Sequence, residues 1–223
     1  MKCVELKYSD IRGKDVVDSK GEKVGEVQDW IFGCGENKLN PKYIVLGGGR
    51  IEEFLESIGV RPDIDPVVNL EDVGSITDQV YLKVDRESLK KTIDPGVHDE
   101  ADYTFSKLTD IKVVDSDGIK IGFVIDIWFD EDGTMWLLLG GGFFEELLER
   151  LRAQPDIDLL VPPHFIESID RDKIRLTVSK FQLESTCEDE YQKLQRQLAG
   201  AEPHDDARYE QLKLGSMPGR GFA

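Results

Sequence analysis

The most constraining feature of this chain is that much of it is written twice. Val16 to Asp29, reading Val-Val-Asp-Ser-Lys-Gly-Glu-Lys-Val-Gly-Glu-Val-Gln-Asp, returns 97 residues later as Val113 to Asp126, reading Val-Val-Asp-Ser-Asp-Gly-Ile-Lys-Ile-Gly-Phe-Val-Ile-Asp. Leu46-Gly47-Gly48-Gly49, followed by Ile51-Glu52-Glu53-Phe54-Leu55-Glu56, returns as Leu139-Gly140-Gly141-Gly142, followed by Phe144-Glu145-Glu146-Leu147-Leu148-Glu149. Pro62-Asp63-Ile64-Asp65 likewise returns as Pro155-Asp156-Ile157-Asp158, and here the offset has fallen to 93. The shortening lies where Gly33 to Pro41 is replaced by the tighter Asp130-Glu131-Asp132-Gly133, as expected of a surface turn. Whatever the fold is, the chain must build it twice.

Each copy reads as a small antiparallel β unit carrying one helix. Asp18-Ser19-Lys20-Gly21 and Asp115-Ser116-Asp117-Gly118 are hairpin turns, because Asp and Ser bond local amides and Gly accepts the positive φ that closes the turn. Gly25 and Gly122 interrupt the second strand, where a missing Cβ permits the bulge that a closing sheet needs. Short apolar runs, Tyr43 to Leu46 and Met135 to Leu139, suit a buried third strand, while Val80 to Val84 and Ile174 to Val178 alternate as half-exposed last strands. Between them, Ile51, Phe54, Leu55 and Ile58 fall at helical spacing, and Phe143, Phe144, Leu147, Leu148 and Leu151 make a broader stripe of the same period. The glycines at 47, 48 and 49 and at 140, 141 and 142 are read as strand-to-helix turns.

In the second copy, Ile121 to Phe129 is apolar at both parities, so both faces of that strand are expected to be covered. A barrel interior covers one face only, so the expected fold is mainly β: two tandem small barrels, each with one inserted amphipathic helix, packed as a pseudo-twofold pair. The expected division is module 1 over 1–88, a polar linker over 89–104 containing Asp94-Pro95-Gly96, module 2 over 105–183, and a partly disordered acidic and amphipathic tail over 184–223.

Composition narrows the function class. In 223 residues, 45 Asp and Glu against 28 Lys and Arg leave a net charge of −17, the reverse of the footprint needed to neutralise phosphates, so direct nucleic-acid binding is disfavoured. No stretch approaches the roughly 20 apolar residues of a membrane span, and no secretory leader is read at the start, so a cytoplasmic location is expected. Three scattered cysteines, Cys3, Cys34 and Cys187, fit neither a disulfide framework nor a zinc site.

The pattern Val-Val-Asp-Ser-x-Gly-x-x-Val-Gly-x-Val-x-Asp, a strand, and then Asp72-Val73-Gly74-Ser75-Ile76 or Phe165-Ile166-Glu167-Ser168-Ile169 before a final strand resembles the PRC-barrel family over about residues 8 to 85 and 105 to 180. The family includes the cytoplasmic domain of the photosynthetic reaction-centre H subunit, the C-terminal domain of the bacterial ribosome-maturation factor, and stand-alone archaeal members, some acting as adaptors in cell division. The resemblance implies a small β-barrel with a protein-binding, non-catalytic role. Here the inserted helix and the tandem arrangement depart from the usual pattern, and neither a transmembrane helix of the reaction-centre type nor the RNA-facing domain of the ribosome factor is expected from the residues read.

The candidate site residues follow from this reading. The Gly triplets precede helices that could cradle phosphate, but Glu52-Glu53 and Glu145-Glu146 stand in the first turns and repel an anion. Asp63, Asp65, Asp156 and Asp158 lack calcium-loop spacing, and His98, His164 and His204 pair with no cysteine at zinc spacing, so no metal and no cofactor is expected. No catalytic residue is assigned either. The structural turns are Asp18, Gly21, Gly25, Gly47, Gly48, Gly49 and Asp115, Gly118, Gly122, Gly140, Gly141, Gly142. Partner contacts are assigned to Trp30 and Trp128, at adjacent and opposite-facing positions in the repeat alignment, and to Tyr191, Leu194 and Leu198, at helical spacing in the tail. The expected partners are proteins, with a homo-oligomer left open. A division or membrane-associated adaptor is the leading reading, followed by a ribosome-maturation factor docking on a ribosomal protein, then by a ligand sensor or enzyme using an inter-module cleft.

Overall fold

The computed structural model describes residues 6–35, 38–47, 65–130, 134–151, 158–199 and 211–213. Two compact units emerge: residues 1–110 with 126–135, and residues 111–125 with 136–223. They do not follow the repeat boundary, because the end of one second-repeat strand belongs to the first unit.

The first repeat starts with β1 (Leu6–Lys7), a single helical turn α1 (Tyr8–Ile11), β2 (Asp15–Val17) and the long β3 (Lys23–Gly35). It continues through β4 (Lys38–Gly47), β5 (Pro66–Asn69), β6 (Val73–Ile76), β7 (Val80–Leu82) and β8 (Lys90–Lys91). The second runs from β9 (Tyr103–Thr104), α2 (Phe105–Leu108), β10 (Lys112–Val114) and β11 (Lys120–Phe129) to β12 (Met135–Gly140). Then come α3 (Gly142–Leu151), β13 (Asp158–Val161), β14 (Ile166–Ile169), β15 (Lys173–Leu176), α4 (Lys180–Ala199) and β16 (Gln211–Lys213).

Two eight-stranded sheets result, ordered β6-β7-β2-β3-β4-β5-β8, with β9 on β3, and β14-β15-β10-β11-β12-β13-β16, with β1 on β11. Pairing is mainly antiparallel, but β2 with β7, β10 with β15, and β13 with β16 run parallel. The first two of these arise because a short 3₁₀ turn, Leu70–Asp72 or Pro163–Phe165, turns the chain into the last hairpin and so sets its second strand alongside the first strand of the sheet.

The repeated turns form as their chemistry dictates. Val16 faces Gly25 and Val113 faces Gly122, and in both hairpins the register then slips by one residue, the bulge expected there. A Cβ at Gly122 would run into the Gly140 carbonyl oxygen, so the second sheet's close strand approach requires glycine. Helix α3 appears where the stripe predicts it, with Phe143, Phe144 and Leu147 buried. The matching first-repeat helix, expected from Ile51 to Ile58, lies outside the described residues, as do Gly48 and Gly49. Val80 and Leu82 are buried while Tyr81 is exposed, the alternation of a half-buried strand.

Residues 89–104, expected to link the modules, are built into the first unit. β8 pairs with β5, β9 pairs with β3, and Val97 joins a buried cluster with Ile31, Tyr43, Val45 and Val67. Lys42 Nζ anchors the same stretch, 2.8 Å from Asp102 and 3.2 Å from Asp99. Two short strand pairings, one buried valine and one lysine together dock a stretch that reads as polar. The tail departs from expectation as well: α4 is 20 residues long and begins at Lys180, and β16 adds a strand to the second sheet.

Candidate interaction site

The first unit holds a reciprocal clasp between residues that are equivalent in the repeat. Leu6 and Lys7 pair with Phe129 and Trp128, while Tyr103 and Thr104 pair with Phe32 and Ile31. Each repeat's entry strand thus lies on the other repeat's long strand. The carboxylates that end the duplicated motif lock this exchange. Asp126 accepts hydrogen bonds from Ser9 N (3.2 Å), Ser9 Oγ (2.5 Å) and Ile127 N (2.8 Å). Asp29 accepts from Phe105 N (3.0 Å), Ser106 Oγ (2.7 Å) and Trp30 N (2.7 Å). The rings of Tyr8 and Phe105, again repeat equivalents, stack with centroids 3.8 Å apart.

Burial drives Asp126 above the ordinary carboxylate range even though Ser9 and Ile127 pull it down. Burial also lifts the Tyr8 phenol far above its ordinary value, and the Asp29 charge adds to this. The Tyr8 hydroxyl, 3.3 Å from Asp29, therefore stays a neutral donor.

Beside the clasp, within the first unit, is a groove of about 430 Å³. Ile31 and Val45 contribute its apolar surface; Arg12, Asp29, His98 and Ser106 are among its polar lining. Serine, histidine and aspartate in one groove invite a hydrolytic reading. The bonds argue otherwise, because Ser106 Oγ is held by Asp29 and approaches Thr104 Oγ at 2.9 Å, and Asp29 already has donors on both oxygens. Ser106 donates to Asp29 and not to an imidazole, and that carboxylate also accepts from the Tyr8 hydroxyl and from the Trp30 and Phe105 amides, the bonding of a structural anchor. Among the described residues no group of His, Cys, Asp and Glu side chains could hold a metal ion. No described helix is long and apolar enough to cross a membrane.

The structure places both Trp30 and Trp128 in the interior, at 0% and 1% exposed. Trp30 packs on Phe129 with centroids 5.2 Å apart and edge-on to Tyr8. The apolar run from Ile121 to Phe129 was expected to be covered on both faces, and the structure corrects this in part: Asp126 to Phe129 is buried at both parities, whereas Ile125 is 53% exposed. Tyr191, Leu194 and Leu198 lie on α4, and their side chains are outside the described residues. Among the described residues the large apolar side chain most exposed is Phe181, at 77%, a residue the sequence reading passed over because it stands at the helix start and outside the stripe.

Asp18 and Asp115 are both buried and do the same task. Asp18 accepts from Lys20 N, Glu22 N and Arg86 N; Asp115 accepts from Asp117 N, Ile119 N and Lys180 N. Each ties the first hairpin turn to the chain leaving the last strand. The Glu22 amide, with help from those of Lys20 and Arg86, holds Asp18 below the usual carboxylate range. Gly21 and Gly118 close these turns at φ +81° and +84°. Gly47, opposite Glu26, ends β4 and Gly140 ends β12, both within strands, while Gly141, at φ +112°, makes the turn into α3, which begins at Gly142.

A family model described as the PRC-barrel domain matches the chain twice, over residues 4–89 and 100–183. The second match starts upstream of β9, so each exchanged entry strand lies inside its own repeat's match. No curated protein matches the chain.

Proposed function

The chain belongs to the PRC-barrel domain family, a family of protein-interaction modules that are generally non-catalytic, and on that footing we propose that it works as an adaptor. Its tandem repeats would present an acidic surface to a protein partner in cell division, or in another membrane-associated assembly, of an archaeal cell. The observation that carries this reading is the state of the polar groups in the first unit's groove: Asp29 and Ser106 are consumed by the clasp. Groups so committed hold two elements together and shape a surface. The net charge of −17 favours a partner with a basic face and opposes direct contact with RNA.

The test is capture of the tagged full chain from its native cells at low and moderate salt, with and without nuclease, followed by mass spectrometry. Recovery of a small set of division or membrane-associated proteins, unchanged by nuclease, is the expected result. Recovery of small-subunit ribosomal proteins would replace the adaptor reading with a role in ribosome maturation.

A further inference from the structure

The turn anchored by Asp18 and the turn anchored by Asp115 share one backbone frame and carry opposite surfaces. Arg86 N bonds Asp18 as Lys180 N bonds Asp115, so Asp85 corresponds to Ser179 and Glu87 to Phe181. The repeat likewise sets Asp15 against Lys112, Glu22 against Ile119 and Glu26 against Phe123, and the strand registers set Tyr81 against Arg175. In the first repeat the lysines are neutralised: Lys20 meets Asp85 at 3.1 Å and Glu87 at 3.7 Å, and Lys23 meets Asp15 at 2.7 Å and Glu26 at 2.8 Å. In the second repeat none of those four acids has an acidic counterpart. Lys120, the counterpart of Lys23, lies over the Phe123 ring at 4.0 Å, and Lys180 lies over Phe143 at 4.7 Å. Over these equivalent positions, Lys20, Lys23 and Arg86 face five acids in the first repeat, while Lys112, Lys120, Arg175 and Lys180 face only Asp117 in the second. Lys112 and Arg175 each have one further acid near the limit of ion-pair distance, Asp172 at 3.7 Å and Glu167 at 3.9 Å. Glu145 and Glu146 of α3 have their counterparts in Glu52 and Glu53, so they leave the contrast unchanged.

The apolar side chains change in the same direction. Phe181 is 77% exposed and Ile119 50%, and one carboxylate, Asp115, holds the amides of Ile119 and Lys180. Ile125, 53% exposed, stands two residues beyond Phe123 on β11. The fold does not demand Phe181 or Ile119, because Glu87 and Glu22 occupy the same frame in the first repeat. We propose that this corner of the second unit docks on an anionic bilayer surface. Phe181 and Ile119 enter the interfacial layer while Lys112, Lys120, Arg175 and Lys180 face lipid phosphates. This deepens the adaptor reading, by giving its membrane-associated form a contact surface, and rests on it. Side chains this exposed stand out from the surface instead of lining a groove, and the interfacial layer of a bilayer accepts them without a complementary pocket, which a peptide would need. The chain's net charge of −17 does not prevent the approach, since charges more than about 8 Å from the headgroups are largely screened at physiological ionic strength and the nearest cations decide.

The test is co-sedimentation of the full chain with vesicles of phosphatidylcholine alone and of phosphatidylcholine with about 30% phosphatidylserine, at low and moderate salt. The expected result is partition about tenfold stronger onto the anionic vesicles, weakening as salt rises. Full-length Ile119→Glu/Phe181→Glu installs the first repeat's own residues, so its melting midpoint should stay within about 2 °C of the parent while its partition falls about tenfold. Lys120→Gln/Lys180→Gln should lose the preference for phosphatidylserine, and it decides the matter if the double-Glu variant melts early. Tyr81→Glu, at an exposed apolar position of the first unit, should bind as the parent does. Equal partition onto both vesicles, or parent-like partition by a folded double-Glu variant, overturns the proposal. So does a protein partner or a second copy of the chain that the parent binds without vesicles and the double-Glu variant does not, because the corner then belongs to that protein. Failure to bind vesicles while partner capture persists removes this site and leaves the adaptor reading standing; loss of all capture removes the adaptor reading itself.

Discussion

Replacing Asp115 by alanine removes three acceptor contacts at one point. Its Oδ1 holds the amides of Asp117 (3.0 Å) and Ile119 (2.7 Å), which shape the turn, and its Oδ2 holds the amide of Lys180 (2.8 Å), the first residue of α4. Loss of the helix-start contact is worth about 1 kcal/mol by comparison with other N-terminal caps. The two turn amides add about 1 kcal/mol each, because the carboxylate is fully buried and water replaces it poorly. The total of about 3 kcal/mol corresponds, at about 2–4 °C per kcal/mol for a chain of this size, to a fall in melting midpoint of about 6–12 °C. Differential scanning calorimetry of D115A reads this directly. Asp115→Asn keeps its one oxygen for the turn but sets an amide NH₂ against the Lys180 N–H, so its fall should be about half as large. Hydrogen exchange at Lys180 and the next residues of α4 should quicken in both variants. A D115A shift below 2 °C, or a D115N shift equal to it, would refute the reasoning that this carboxylate ties the turn to the helix.

Gly122→Ala should destabilise by about 2–3 kcal/mol in urea unfolding, since its Cβ meets the Gly140 backbone, which can only move as a strand. Gly142→Ala, with open space at its Cβ position, is the neutral control. Because burial raises Asp126 in the folded state, that state holds its proton to higher pH than the unfolded chain does, and stability from this group declines as pH rises from about 4 upward. Asp126→Asn should remove that decline, and pH-dependent melting curves that stay parallel for the two proteins would contradict it. Burial, with Glu184 and Glu188 adding, pushes the Cys187 thiol up to about 12. Mass spectrometry after iodoacetamide at pH 8 should therefore find Cys187 unlabelled until urea unfolds the second unit.

What could be read from the sequence divides by range. The hairpin turns at Asp18 and Asp115, the bulges at Gly25 and Gly122, and the helix from Gly142 follow from chemistry within a few residues, and the repeat supplied each motif twice. Asp29 and Asp126 close the most similar stretch of the repeat, yet their role was hidden, because their donors Ser106 and Ser9 come from the other copy and far along the chain. Trp30 and Trp128 were expected to differ in exposure from strand parity alone. Both are buried, and the neighbour that packs on Trp30 from the other repeat, Phe129, could not be read from parity. β16 has only three residues, too few for any period to register, so its pairing with β13 was not legible.

The exchanged entry strands also set an order of events during synthesis. β1 and α1 leave the ribosome while their partners Asp126, Trp128 and Phe129 are still to be made. At about 5–20 residues per second, the wait is on the order of ten seconds. For that interval Tyr8 and Ile11, fully buried in the finished fold, must remain without their final neighbours, and Trp30 must wait for Phe129. The first repeat is therefore made first but completed late, and a nascent chain stalled before Asp126 should expose aromatic surface of the kind that holdase chaperones recognise.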